Sequence, residues 1–568
     1  MPPQQTFQPP VKPRRSLKQK LRALFRSRKF WVGLIVAIIA ALIALWFVQP
    51  TRWWLVNLFG MRNTVTITTI APGEGQAKVS RLGNVTLTVD GQIYKSDTQG
   101  KVTVPNVRYG KVSVAAKKAG YQDVNYGVTL DFDPFLHKFG GQETDDAARK
   151  IELSLPATGI PVAFKVVDLL SGQPVTAGEF TIGDVVAKPD DKGLVSVKIP
   201  GTDAAKVQVM THFGGKYVDQ KFDLTLGGNG AQEIKVVPGG KHYFLSKRSG
   251  VLTVYSSNID GSDVQSIVTG TGQETDSTAF AVSPDGKYGV LSSSRDGARN
   301  TKQEMLQRIY IVDLTTKQLT RVDEARDISF ADWSGSTLVY TTTALEPTTN
   351  TYPMAVKSVD TTTKRVYNFE SAAGMQVATV GFDRVIYQKV IDTGADAATS
   401  PVLRTANING SSQRTLGNKV LLNNYLNLDY DRVAFRTDQD QAWHEYNLNT
   451  DQLKGISQPS SGSNTVQYIS TAQGTGEKRL YIDRVDGKYT LFVKDMNTSA
   501  AKPLYGEDGL GGPIRWIGDV IIYRVVNDHE TADYAISLNG GAPKKITDVT
   551  AAASTQGTAT EFQRFRLY

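Results

Sequence analysis

One short element recurs seven times between residues 239 and 568, and it restricts the folds open to this chain more than any other feature. A β-branched or apolar run leads into a polar residue, an aliphatic residue and Asp, Asn or Thr, followed by Gly or Thr. The copies begin at Asn258, Asp313, Ser358, Asn407, Asn447, Asp495 and Ser537. Their third positions fall at 260, 315, 360, 409, 449, 497 and 539, with gaps of 40 to 55 residues. Asn, Asp and Gly tolerate positive φ and bond local backbone through their side chains, so each copy suits a turn between two strands. Strands repeated at a period of about 40–50 residues are what four-stranded propeller blades produce. Seven turns therefore predict a seven-bladed β-propeller over 239–568. No innermost strand precedes the first turn. The alternating segment Thr560–Tyr568, after Ala551–Gly557, is expected to supply it and so remove an unpaired edge.

Composition narrows the chemistry. The chain has 568 residues and no Cys, which excludes disulfide scaffolds, thiolate metal sites and cysteine nucleophiles. Its formal charge of +9 resembles a nucleic-acid signal until it is located. Residues 1–62 hold 11 Lys/Arg and no acid, whereas the remainder carries 53 basic against 55 acidic residues. The positive charge belongs to one end, and no nucleic-acid partner is expected.

That end reads as a membrane anchor. Residues 1–29 combine a Pro/Gln-rich stretch, read as disordered, with a basic amphipathic segment in which Leu17, Leu21, Leu24 and Phe25 share one face. Phe30 to Val48 is a run of 19 residues without a charge, long enough as a helix for a ~30 Å hydrocarbon core. Trp31, Trp46, Trp53 and Trp54 are expected at its two interfaces. Nine Lys/Arg precede the span, which places 1–29 in the cytoplasm and the rest outside the cell membrane. Residues 49–63 read as an interfacial linker. The run exceeds a signal-peptide core and lacks small residues after it, so an uncleaved single-pass anchor is expected.

From Asn63 onward the texture becomes short alternating stretches with Gly, Asp and Asn between them, an all-β signature. Asp90-Gly91 between two alternating runs predicts a hairpin with a type I′ turn. Asp97-Thr-Gln-Gly100 starts one strand, and Asp190-Asp-Lys-Gly193 starts another in the same way. A further strand starts at Gly110 and closes on Gly120-Tyr121. Upstream of the second copy, Val167 to Val175 reads as an opening hairpin.

These stretches resemble the PEGA and carboxypeptidase-regulatory-like families over 64–155, and the carboxypeptidase-regulatory-like family over 156–238. The resemblance implies two small β-sandwiches used for adhesion or spacing. Within the repeat region, Ser283-Pro284-Asp285-Gly286, leading to Ile309-Tyr-Ile-Val-Asp313, resembles the TolB-like propeller repeat, and Asp332-Trp333-Ser334-Gly335 is a degenerate second copy. The resemblance implies a TolB-like propeller in a bacterial envelope.

No residue set with a recognised chemistry stands out, so no catalytic, cofactor-binding or metal residues are expected. His137, His212, His242, His444 and His529 show no zinc spacing, and neither a nucleophile elbow nor a phosphate loop is present. Asp131, Asp133 and His137 lack further ligands at fixed spacing and read as a solvated loop. Glu274 and Asp276 read as loop residues in a Gly/Thr/Ser-rich stretch, and Trp333, Trp443 and Trp516 as blade packing. The longest insertions, Ala298–Arg308, Thr343–Pro353 and Asp392–Pro401, fall between the second and third strands of consecutive blades, where they are expected to form one polar lip. The chain is thus read as an all-β ectodomain on one N-terminal transmembrane helix. Its expected role is a cell-envelope binding or scaffold protein whose propeller recognises a protein, peptide or glycan, with no cofactor. The alternative is a surface hydrolase or lyase acting on wall polymers through carboxylates in the propeller channel.

Overall fold

The computed structural model describes residues 28–72 except 47, 80–132, 150–200, 206–226, 231–347 and 351–548, apart from 393, 429–430, 439, 460–466, 470–477, 496, 499, 508–509 and 528–530. The basic segment before residue 28, Asp133, His137, His529 and the expected closing strand Thr560–Tyr568 lie outside the described residues. The chain divides into two compact units. One comprises Met1–Val166, Thr176–His212 and Gln220–Glu233, and the other Val167–Val175, Phe213–Asp219 and Ile234–Tyr568.

In the first unit the apolar run folds as helix α1, Arg28–Trp46, and a second helix α2, Gln49–Leu58, follows with Pro50 in its first turn, where a missing N–H costs nothing. Trp31, Ile35, Ile38, Ile39 and Ile43 are exposed on α1. The expected span 30–48 includes Phe47 and the side chains of Leu42 and Leu45, which lie outside the described residues. Among the described residues no helix is long and apolar enough to cross a membrane. The spanning role of 30–48 therefore rests on sequence.

The stretch 49–63, expected to be an interfacial linker, contains α2, which is docked through one of its sides. Asn57 donates from Nδ2 to the Tyr109 carbonyl at 2.8 Å and accepts the Tyr109 N–H at 3.0 Å. Val56, Tyr109 and Phe132 form a small core with Trp46 and Trp53 against it.

The Asp90-Gly91 turn joins strands Thr86–Val89 and Gln92–Lys95, with both turn residues at positive φ, as a type I′ hairpin requires. The two Asp-x-x-Gly turns also share one geometry. Asp97 Oδ1 accepts the N–H groups of Gln99 and Lys101 at 2.8 Å, and Asp190 Oδ1 those of Lys192 and Leu194 at 2.8 Å.

The two expected sandwiches are not separate sheets. One eight-stranded sheet takes strands from both, because Ser80–Leu82 pairs antiparallel with Val185–Ala187 (Leu82 opposite Val185, Arg81 opposite Val186). Two short edge strands satisfy each other's ladder groups, an economical way to hide an edge. Lys118 Nζ reaches Asp184 at 2.7 Å across the same junction.

Among its described residues the second unit contains seven consecutive antiparallel sheets. The first has three strands, Lys241–Ser246, Thr253–Asn258 and Gln265–Val268. The second has four, Ala279–Val282, Tyr288–Ser293, Gln307–Asp313 and Leu319–Ala325. The other five are four-stranded and lie within 327–372, 374–418, 425–456, 467–507 and 510–548. Every copy of the repeated turn closes the third strand of a four-stranded sheet or the second strand of the first sheet. The side chains show why Asp and Asn recur. Asp313 Oδ1 accepts from Thr315 and Thr316 N–H at 2.9 and 2.8 Å, and Asp360 Oδ1 accepts from Thr362 and Thr363 at 2.8 and 3.1 Å.

Consecutive sheets pack through their apolar faces. Val290 and Ile311 of the second meet Phe330, Trp333 and Tyr340 of the third. Val339 and Val356 of the third meet Val380 and Tyr387 of the fourth. Val254 and Ile267 of the first meet Leu291 and Tyr310 of the second. On its other side, Ile259 at the end of the first sheet packs with Val520, Ile522 and Ile546 of the seventh. Full burial of each such side chain contributes about 1.5–3 kcal/mol.

Candidate functional site

The insertion 298–306 joins the second and third strands of the second sheet, and 344–353 does the same in the third. In an antiparallel meander those connections emerge on one side, and here they bond to each other. Asn300 organises the first insertion. Its Oδ1 accepts the N–H groups of Lys302 and Glu304 at 3.0 and 2.8 Å. Its Nδ2 donates to Glu304 Oε2 at 2.6 Å and to the Leu345 carbonyl of the neighbouring insertion at 3.1 Å. Thr301 N–H donates to Glu346 Oε1 at 2.9 Å, and its hydroxyl to the other oxygen of the same carboxylate. Tyr352 donates its hydroxyl to Glu304.

Arg326, in the connection between the two sheets, lies 4.2 Å from the Tyr352 ring centroid and 3.5 Å from Glu304 Oε1. The result is a polar lip with Glu304 at its centre. Hydrogen bonds from Tyr352 and Asn300 hold the Glu304 carboxyl below its ordinary range, and the Thr301 bonds do the same for Glu346. Both acids are thus anions at neutral pH, fixed in position and reachable from solvent.

The lip continues along the second sheet. Arg308 bonds Asp296 at 2.6 Å and Glu324 at 2.5 Å, and Tyr310 donates its hydroxyl to Asp296 at 2.6 Å. Chiefly through the Tyr310 bond, the Asp296 carboxyl is also held low. The third expected insertion, Asp392–Pro401, joins the second and third strands of the fourth sheet but docks on its own sheet. The Ser400 hydroxyl accepts Ile391 N–H at 2.9 Å, and the carbonyls of Thr399 and Pro401 accept Lys419 and Val420 N–H at 3.0 Å. Two of the three insertions therefore form the lip by direct bonds.

The residues weighed for chemistry are scattered. Glu274 folds back on the Thr271 and Gly272 N–H groups of its own loop at 2.8 to 2.9 Å, and Asp276 lies 3.5 Å from Lys247 of a neighbouring turn. Trp333 is buried between the second and third sheets, Trp443 begins a strand of the fifth, and Trp516 donates to the Gly518 carbonyl at 2.6 Å in the seventh. They form no common platform. His242 is buried against Asp533, and His444 stacks on Phe435. Asp131, read as part of a solvated loop, is exposed and binds Arg52 at 2.8 Å and Trp53 Nε1 at 2.9 Å. Among the described residues no group of three or more His, Asp or Glu is placed to hold a metal.

Sequence reasoning missed a row of inter-sheet bonds beneath this surface. Tyr340 on the third sheet donates to Asp323 on the last strand of the second at 2.7 Å, and Lys357 reaches the same carboxylate at 3.0 Å. Tyr387 on the fourth donates to Glu370 on the last strand of the third at 2.6 Å, with Lys389 at 2.7 Å and Arg404 at 3.1 Å. The recurring triplets Leu338-Val-Tyr340 and Val385-Ile-Tyr387 carry the signal that could have found them.

No known protein family matches the chain, and no curated protein matches it. Among solved structures its neighbours are β-propeller proteins. The propeller domain of the trilobed protease from Pyrococcus furiosus is 13% identical, with a TM-score of 0.35 over 61% of this chain and 96% of that one. TolB from Acinetobacter baumannii is 14% identical, with a TM-score of 0.31 over 60% and 76%. An oligogalacturonate lyase from Vibrio parahaemolyticus is 13% identical, with a TM-score of 0.34 over 53% and 86%.

Proposed function

We propose that this is a membrane-anchored, extracytoplasmic binding or scaffold protein of the cell envelope. Its seven sheets are the blades of a TolB-like propeller that recognises a protein, peptide or glycan. The observation that carries the reading is the bonded pair of insertions around Glu304. Two loops of unrelated sequence, 45 residues apart at their contact, hold fixed anions, a half-exposed arginine and a tyrosine on one rim. Loops on a rigid scaffold are where recognition concentrates, and a polar, wet rim suits reversible binding better than a dry obligate interface.

Anchoring is supported by the charge-free run 30–48, the exposed apolar side chains of α1 and the nine basic residues before them. The stretches 64–155 and 156–238 are read as PEGA- and carboxypeptidase-regulatory-like spacer modules, a reading supported by their twin Asp-x-x-Gly turns. The test is site-specific photo-cross-linking from the whole chain in its own envelope. A cross-linker at Lys302 is expected to trap a partner, while one at Thr316, on the turn at the opposite end of the same sheet, is expected to trap none. Equal trapping from both positions, or none from Lys302, would reject the lip as the recognition surface.

A further inference from the structure

Helix α2 has two unlike sides. One is fastened to the first unit through Arg52 and Trp53 on Asp131, Asn57 on the Tyr109 backbone, and Val56 in the small core beneath. Gln49 adds a bond to Asp131 at 3.2 Å, and the Trp53 ring lies against Gly110, where a Cβ would come within 3.4 Å of it. The other side has no such partner among the described residues and is apolar. Trp54 and Leu58, one helical turn apart, are 61% and 63% exposed, and Phe59 and Met61 continue the ridge at 73% and 41%. A soluble surface has no reason to hold four large apolar side chains in a row beside a helix so firmly fixed.

What covers the ridge follows from its neighbours in the chain. Trp46, the last residue of α1, packs edge-on against Phe132 at 6.0 Å between centroids, so the end of the apolar helix and the start of α2 are tied to the same small core. Val48 between them is also exposed. No carboxylate occurs before Glu74, and Arg62 stands exposed just past the ridge. An amphipathic helix with a Trp/Leu/Phe face and flanking basic charge, continuous with an apolar span, is what lies in a bilayer's headgroup–acyl boundary. We propose that the ridge Trp54–Leu58–Phe59–Met61 is a membrane-surface contact, dipping into the outer face of the same bilayer that α1 spans and seating the first unit on it. The ridge rests on the anchor reading and adds to it. The link after the span becomes a rigid elbow rather than a tether, with Asp131 and Asn57 as its bolts.

The absence of Cys makes the test direct, because single cysteines can be introduced in the full-length chain and spin-labelled. The chain is reconstituted in phosphatidylethanolamine/phosphatidylglycerol bilayers, and collisions with oxygen and with a water-soluble nickel complex are measured for labels at Ile38→Cys, Leu58→Cys and Lys101→Cys. The label at 38 is expected in the acyl core. The label at 58 is expected to collide with nickel at least several-fold less than the one at 101, an exposed site on the same unit. Nickel access at 58 equal to that at 101, with 38 still in the acyl core, overturns the ridge contact alone. Nickel access at 38 overturns the anchor and the contact together. Spin–spin broadening between labels at 58 would place a second copy over the ridge and also overturn the proposal.

Discussion

His242 Nε2 and Asp533 Oδ2 meet at 2.9 Å, joining the first and seventh sheets across 291 residues of sequence. Arg524 completes the buried group, with Nε at 2.7 Å from Asp533 Oδ1. The Asp533 side chain is 0% exposed. Burial pushes its carboxyl up, but Arg524 and His242 outweigh that and bring it down to about 2. The seam between the two ends of the sheet series is therefore held by a charged group as well as by Ile259, Val520 and Ile546.

Acid should open that seam. The folded state holds Asp533 below its ordinary range, so its contribution is complete above about pH 4 and is lost as pH falls toward about 2. That contribution is worth about 2 kcal/mol. Asp533→Asn should lower stability at pH 7 by about 3–5 kcal/mol, because it leaves the buried arginine without its anion. It should also flatten the acid limb. Thermal melts of both forms from pH 7 to pH 2 check this, and parallel curves would contradict it.

The inter-sheet carboxylates should matter more than their tyrosines. Tyr387→Phe removes one hydrogen bond to Glu370 and is expected to cost about 1 kcal/mol. Glu370→Ala strands Lys389 and Arg404, half-buried beside each other, and should cost about 3 kcal/mol or more. Urea unfolding of the two single variants and the double variant measures the coupling. Additive losses would show that the tyrosine and the carboxylate do not act together.

Among the described residues the first sheet has three strands where the other six have four. If Thr560–Tyr568 supplies the missing innermost strand, deleting it removes a ladder and several apolar contacts, at about 2–5 kcal/mol per large side chain. The truncated chain should melt at a clearly lower temperature. An unchanged melt would mean that the segment is not a strand of the first sheet.

Topology is accessible in whole cells. Protease added to spheroplasts should digest residues beyond about 62 and leave a small protected stub. Full protection of the 62.0 kDa chain would reverse the orientation and remove the extracytoplasmic location with it.

What could be read from sequence was local. The turns at Asp313, Asp360 and Asp495 are legible because one carboxylate oxygen caps two N–H groups within three residues, so the signal sits inside a short window. The two Asp-x-x-Gly turns were legible for the same reason, and Asp90-Gly91 because both its residues take the positive φ that Asp and Gly tolerate. The pairing of Leu82 with Val185 was not, since an edge strand's choice of partner leaves no periodicity in either segment. The bonds of Asp131 to Arg52 and Trp53 were not legible, because those partners stand 79 and 78 residues away and no local spacing announces them. The lip was half legible. Insertion lengths placed the loops of the second and third sheets side by side, but the fourth turned inward through Ser400 and Thr399, a choice made by its own backbone bonds.

The recognition claim is tested most directly by measuring affinity for the partner trapped at Lys302, with the intact chain and with a variant in which 298–306 and 344–353 are replaced by tight turns. The variant should still fold cooperatively, with its melting temperature lowered by the loss of the buried Leu306 and Asn300, and should bind at least a hundredfold more weakly. Unchanged affinity in a variant that folds normally would contradict the account and move recognition to another face of the propeller.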